Sequence, residues 1–425
     1  MNLENTLEFA RKLDEEDPLK KFRSKFYIPI LHGKESVYLC GNTLGLQPKS
    51  TQNLVLNELE DWANFGKDAR MHGRKPWVNY HDHFPKRLAP LLGAKMEEVV
   101  VMNQLTANLH LMLATFYRPS EGRFKIIYEE NAFSSDVYAL KSQVELNGYK
   151  AEDAMIKIEC RKGERTIRQE DILSEIEKCG SSLALVLIGG VNYLTGQVFD
   201  MKGISAAAHA VGAKCGFDLA HAVGNIELKL NDWEVDFAVW CSYKYLNSGP
   251  GGIGGAFVHE KHIADSSLFR LAGWWGNHKD SRFKMKEDFE PAQTAEGWQL
   301  SAPSILSMAV HEAALEIFFQ ASFKRVLEKS AKLSSWLLFV INDVILNSAK
   351  KTAEIITPQE PGQHGSQISL LLKENAAHFS DMLRKNSVLA DLQEPDIFRV
   401  TAVPLYNTYE DVYLFGQVLK GALSK

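Results

Sequence analysis

Cysteine is scarce in this chain. The five residues Cys40, Cys160, Cys179, Cys215 and Cys241 are an odd number, and no pair has C-x-x-C spacing. Buried or indifferent thiols in a reducing compartment are therefore expected. Histidine and cysteine do not cluster at ligand spacing, so no metal site is expected either. Long apolar runs are also missing: the longest clean stretch, LALVLIGGV (183–191), is far too short to span a bilayer. The opening MNLENTLEFARKLDEEDPLKKF reads as a charged amphipathic helix and not as a secretion leader, which makes the cytoplasm the default location. Nor is there an excess of positive charge. Lys and Arg total 48 against 53 Asp and Glu, a net charge of −5 that argues against nucleic acid as the main partner. Repeats and low-complexity segments are absent.

What is present is an ordinary globular composition over 425 residues, 45% hydrophobic and 24% charged. That length predicts two domains, or one large α/β domain with a smaller one. From about residue 90 to 260, short β-branched runs alternate with helical segments. EEVVVMNQ leads into LTANLHLMLATFY, FKIIYEE precedes SSDVYALKSQVELNG, and LALVLIGGVN precedes MKGISAAAHAVGA. This pattern predicts a doubly wound, mainly parallel sheet covered on both faces. Such sheets bind ligands beyond the carboxyl ends of their strands, which puts Asn103–Thr106, Phe133–Asp136, Asp218–His221 and Tyr243–Lys244 on one rim. After Pro303 a long helical stretch gives way to alternating strands and helices. The expected division is an N-terminal segment, 1–60, belonging to the small domain, a large domain over 61–305, and a small α+β domain over 306–425.

Lys244 lies between two tyrosines in WCSYKYLNSGPGGIGG, after an apolar run and before a glycine-rich loop. A solvated charge at a strand end is the plain alternative. Asp218 sits in GFDLAHAVG on an otherwise apolar strand, where a lone carboxylate costs several kcal/mol, roughly, unless a cation meets it; it could instead cap the next helix. An acid requiring a cation, beside a lysine kept from water, suits a pyridine aldehyde cofactor. The amine forms a Schiff base, and the carboxylate keeps the ring nitrogen protonated. QLTAN and FSSD supply hydroxyls where a strand turns into a helix, as a phosphate requires. Gly249, Gly251 and Gly254 match the dinucleotide fingerprint G-x-G-x-x-G, but they run into GAFVHEKH, which reads as a strand where that motif needs a helix.

Taken together, GNTLGLQPK, NQLTANLHLML, FDLAHAVGNIEL, DFAVWCSYKYLNSGPGGIGGAFVHEKH and VPLYNTYEDVY resemble the kynureninase family, from about residue 38 to the C-terminus. The resemblance implies a fold-type-I enzyme dependent on pyridoxal 5'-phosphate that cleaves L-kynurenine, or its 3-hydroxy derivative, to an anthranilate and L-alanine. It implies that Lys244 carries the cofactor and moves the Cα proton, and that Asp218 pairs with the ring nitrogen while Phe133 stacks on the ring. Thr106, the Leu105 backbone, Ser134, Ser135 and Tyr243 would surround the phosphate. Asp136 and His221 would complete the polar set, with Tyr243 a candidate for proton transfer. Arg399 would clamp the substrate carboxylate, beside Asn42 and Thr43. Trp274 would reach the neighbouring subunit's site, making a homodimer part of the expectation. Plainer roles remain open: core aromatics for Phe133 and Trp274, a surface ion pair for Arg399, a turn for Asn42 and Thr43. Two positions depart from the family's pattern: Ala302 replaces an asparagine, and Gly189 stands where a serine hydroxyl could sit, which opens the question of ring-substituent selectivity. A cysteine desulfurase on the same scaffold would need a mobile cysteine in a small-domain loop, and all five cysteines lie outside that part of the chain.

Overall fold

Valine, isoleucine and leucine crowd the central segments of the chain, and these segments form the strands of the larger sheet. The computed structural model describes residues 3–265, 267–348, 352–374 and 376–424. Seven strands make this sheet: β1 (Val99–Val101), β2 (Lys125–Glu129), β3 (Met155–Ile158), β4 (Leu183–Gly189), β5 (Lys214–Asp218), β6 (Phe237–Cys241) and β7 (Gly254–Val258). Their order is β1-β7-β6-β5-β4-β2-β3, parallel except for β7, which runs antiparallel to both β6 and β1. The glycine-rich loop therefore leads into an antiparallel strand, as its sequence suggests.

Alternate side chains of each strand enter different cores. Val99, Val101, Val186, Ile188, Ala238 and Trp240 pack on one face. Val100, Leu185, Leu187, Phe237 and Val239 pack on the other. Burial on both faces explains why these strands read as continuous apolar runs.

The smaller sheet is antiparallel, with β8 (Ala353–Ile355), β9 (Gln367–Leu372), β10 (Asp391–Gln393) and β11 (Ile397–Thr401) in the order β8-β9-β11-β10. Its core includes residues of two long helices, Phe323–Leu346 and Tyr409–Leu423, together with Ala10, Val37 and Leu39 from the start of the chain. Helix Ile305–Ala321 behaves differently. It packs along Thr51–Phe65, and its Met308, Ala309 and Leu315 belong to the core beneath the large sheet.

The N-terminal segment is tied to the small sheet by specific polar contacts. Val37–Tyr38 pairs in parallel with Val388–Leu389. Asp14 accepts the backbone N–H groups of Tyr409 at 2.7 Å and Glu410 at 2.9 Å, covering the open donors at a helix start. The buried pair Asp17–Lys329 meets at 2.8 Å, and the Lys329 ammonium also donates to the Asn407 carbonyl at 2.9 Å.

Candidate active site

Three of the loops on the rim, those after β1, β2 and β6, have an asparagine in the left-handed region: Asn103 (φ 43°), Asn131 (φ 56°) and Asn247 (φ 56°). Asparagine tolerates this conformation better than most residues because its short amide can bond locally. Asn103 donates to the Asn108 side chain at 3.0 Å, and Asn108 donates to the Met102 carbonyl at 2.9 Å. These turns start helix Leu105–Phe116 directly after β1, and helix Ser134–Leu146 after β2.

One cleft results. Its lining includes Leu105, Thr106, Phe133, Ser135, Asp136, Asp218, His221, Tyr243 and Lys244, so the structure brings together most of the residues singled out from sequence. Ser134, the first residue of its helix, adjoins this set without lining the cleft. The Lys244 Nζ lies 2.9 Å from the His221 Nε2. It also sits 5.9 Å from the ring centres of both Phe133 and Tyr243. Phe133 is half exposed, with its ring edge-on to Tyr193 at 5.4 Å.

The electrostatics of the cleft follow from burial. Asp218 accepts the Ala220 N–H at 2.7 Å and is buried at the tip of β5. Burial pushes its carboxyl group up, while a hydrogen bond with Asp136 and the Lys244 ammonium pull it back. Burial raises Asp136 well above the usual carboxyl range, and repulsion from Asp218 adds to the effect. One proton shared between these two acids satisfies both tendencies. His221 is held well below its ordinary value by burial, with Lys244 and Arg399 contributing. Its imidazole is therefore neutral, and Nε2 accepts from the lysine. Burial likewise raises the Tyr243 phenol, which keeps it a proton donor. The Cys241 thiol, also in the cleft lining, is pushed up to about 11 by burial and is a poor nucleophile.

The residues fit a pyridoxal phosphate. Asp136 Oδ1 and His221 Nδ1 are buried without a hydrogen-bond partner, as groups awaiting a polar ligand would be. The Thr106 and Ser135 hydroxyls face each other at 2.8 Å across the starts of the two helices, where backbone N–H groups favour an anion. Asp218 supplies the acid that a pyridine nitrogen requires.

Arg399 lies in the small sheet, beyond the cleft lining. Its Nη1 donates to the Tyr193 carbonyl at 3.0 Å, and its Nη2 reaches the Thr43 hydroxyl at 3.3 Å and the Asp391 carboxylate. Its Nε is buried without a partner. Thr43 also donates to Asp391, at 2.9 Å, whereas the fully buried Asn42 amide has no partner on either side-chain atom. Trp274 stands apart on the surface, 41% exposed, its indole donating to the Arg282 carbonyl at 2.9 Å. Ala302 lines a separate groove with Gln104 and Ser304. A wider hollow of about 830 Å³, bordered by Tyr27, Tyr38, Leu46 and Val310, contains no acid or amine.

Sequence reasoning missed Glu129, Tyr193 and Asp391. Glu129 ends the apolar strand KIIYE just as Asp218 ends KCGFD, so the signal that exposed one acid was available for the other. Tyr193 and Asp391 have no such local signature.

The C-terminal region, residues 326–419, matches the family model described as the kynureninase C-terminal domain. Among curated proteins, the chain is 50% identical to a kynureninase of Flavobacterium psychrophilum over 420 residues, covering 99% of each. It is 47% identical to one of Myxococcus xanthus (98% of this chain, 97% of the relative). With one of Nematostella vectensis it shares 43% identity (98% and 93%). Solved structures with the same fold include the cysteine desulfurase CsdA of Escherichia coli, with a TM-score of 0.75, 16% identity, and coverage of 95% of this chain and 98% of that one. A variant of C-DES with glycine covalently linked to its PLP cofactor has a TM-score of 0.74 at 13% identity, covering 90% and 96%. The fold is thus the fold-type-I architecture of pyridoxal-phosphate enzymes, and full-length identity to these relatives establishes that the chain belongs to the kynureninase family.

Proposed function

We propose that this protein hydrolyses the Cβ–Cγ bond of L-kynurenine, or of 3-hydroxy-L-kynurenine, to give anthranilate or 3-hydroxyanthranilate and L-alanine, with pyridoxal 5'-phosphate held at Lys244. The observation that supports it most is the Lys244 amine, 2.9 Å from a neutral imidazole in a cleft it shares with buried acids, in a chain of this family. When bound, the cofactor supplies an aromatic ring that accepts electrons from the amino-acid substrate.

Each residue then has a task. Lys244 would hold the cofactor and carry the Cα proton. Asp218, with Asp136 sharing its proton, would pair with the ring nitrogen and keep it charged. His221, neutral, orients the lysine amine. Phe133 covers the ring. The Leu105 backbone, Thr106, Ser134, Ser135 and the Tyr243 phenol receive the phosphate. Water adds to the substrate's γ-carbonyl, and Tyr243 donates a proton there or at Cβ, a role suited to a phenol held in its acid form. Arg399 binds the α-carboxylate through its fork, with Asn42 and Thr43 beside it. A homodimer in the cytoplasm completes the reading: the exposed Trp274 would enter the partner's site. The ligand is a small molecule, the amino-acid substrate, and neither nucleic acid nor membrane is a partner. Among the described residues no helix is long and apolar enough to cross a bilayer.

The test is direct. The purified protein should be yellow, with a visible band that borohydride abolishes, and should form fluorescent anthranilate from kynurenine. Lys244→Ala should lose both band and turnover. Colour that survives the substitution unchanged, or a coloured parent protein that cleaves neither kynurenine nor its 3-hydroxy form, would overturn the proposal.

A further inference from the structure

Glu129 closes β2 with its carboxyl group buried, only 4% exposed. Strands β2, β4 and β5 lie side by side, so Glu129, Gly189 and Asp218 end three neighbouring strands, with Gly189 and Asp218 paired in register. The Glu129 Oε1 accepts the Gly189 N–H at 3.0 Å. A Cβ at position 189 would lie 3.0 Å from that same oxygen, closer than such atoms normally approach. The missing side chain at 189 is what gives the carboxyl group its room.

Several groups face Glu129 across the cleft. They are Asp136 from the helix after β2, Tyr193 after β4, Asp218 at the end of β5 and His221 just beyond it, with Cys241, Tyr243 and Lys244 at and after the end of β6. Among the described lining residues, Lys244 is the only cation against three carboxyl groups. Three buried acids beside one ammonium cannot all ionise without a large penalty, so the set must retain protons.

We propose that Glu129 is a positioning residue of the active site, a third acid that takes up and returns a proton and so sets the charge that Asp136 and Asp218 present to the cofactor's ring. This rests on Lys244 and Asp218 flanking the cofactor as described above. Burial, reinforced by Asp218 and only partly offset by the Gly189 N–H, pushes the Glu129 carboxyl group up to about 7. Below that value Glu129 is neutral; above it, its charge adds to the field that favours protonated nitrogen on the ring and at Lys244.

Glu129→Gln preserves size and an oxygen for the Gly189 N–H but removes the ionisation. The loaded protein is titrated by its visible absorbance between about pH 6 and about pH 9. Losing a nearby negative charge disfavours the protonated nitrogen, so the midpoint should fall by about one unit. Glu129→Asp should restore part of the shift, and Gly189→Ala, which crowds the carboxyl group, should move the midpoint in the same direction as Glu129→Gln. A Glu129→Gln titration superimposable on the parent's overturns the inference.

A second measurement needs no cofactor. The unfolded chain ionises this glutamate from about 4.5, while the folded one holds the proton to about 7, so Glu129 makes the parent lose stability as pH rises through that window. The melting temperature of cofactor-free Glu129→Gln should fall less steeply over the same range, and equal slopes also overturn the inference. If Glu129→Gln does not retain cofactor, this melting comparison and the Glu129→Asp titration decide the matter. Kynurenine turnover by the parent is assayed separately: its absence would remove the hydrolase reading and leave these titrations standing.

Discussion

Replacing Arg399 by lysine tests whether the planar fork, and not merely its charge, recognises substrate. Arg399 is 8% exposed, and its guanidinium is held on one side by the Tyr193 carbonyl at 3.0 Å and on the other by Thr43 and Asp391. These contacts fix its plane while Nε remains without a partner. A carboxylate reaching that edge gains the free Nε–H and, on displacing Thr43 or Asp391 from Nη2, a second parallel bond to the same charged fork. A lysine ammonium can offer the incoming carboxylate one such bond, and it must also satisfy Asp391, which it would otherwise leave unpaired. One charge-assisted hydrogen bond is worth about 1.5–3 kcal/mol, so KM for kynurenine should rise about 10- to 150-fold. The chemistry at Cβ lies elsewhere, so kcat should change by no more than about threefold. Steady-state kinetics by anthranilate fluorescence measure both constants, and the visible band of the loaded variant serves as a control for an intact cofactor site. A KM within about threefold of the parent's, with the band unchanged, would refute the reasoning.

Two further outcomes concern stability. Burial alone would push the Asp236 carboxyl group up, but His209 at 2.7 Å, His262 at 2.6 Å and the ammoniums of Lys214 and Lys261 outweigh it and hold it well below the carboxylate range. Asp236→Asn should cost about 3 kcal/mol in urea unfolding at neutral pH. Because the group is depressed when folded, that difference should be fully present above pH 3.8 and shrink only in stronger acid; a difference that already vanishes at neutral pH would sink the account. Asp14→Ala should remove the two acceptor oxygens at the start of helix Tyr409–Leu423 and cost about 1–2 kcal/mol. Calorimetry should show a lowered melting temperature, and no change would mean that water covers those N–H groups equally well.

Much of the site was legible because chemistry and pattern coincide along the chain. An acid or an ammonium at the end of an apolar run is conspicuous, and alternating strands and helices place those ends on one rim; Asp218 and Lys244 were found in this way. Glu129 carries the same mark but escaped notice, because Glu130 follows it at once and the pair reads as the polar start of a loop. Asp391 and Tyr193 meet Arg399 only through pairing across β10 and β11 and the contact between the small sheet and the loop after β4. Residues distant in sequence can be matched only once the sheets are assembled. Helix Ile305–Ala321 shows a similar limit. It is apolar nearly all round, with ten of its residues buried, so its pattern does not reveal which core it joins.

The fastening of Asp14 and Asp17 has a consequence for how the molecule is made. These side chains emerge early from the ribosome, yet Asp14 finds its two N–H donors 395 and 396 residues later. The first segment must wait until helix Tyr409–Leu423 has been synthesised, so the smaller sheet and its core are completed only once that helix has emerged. Insertions next to Asp14 or next to Tyr409 would therefore press on one shared seam.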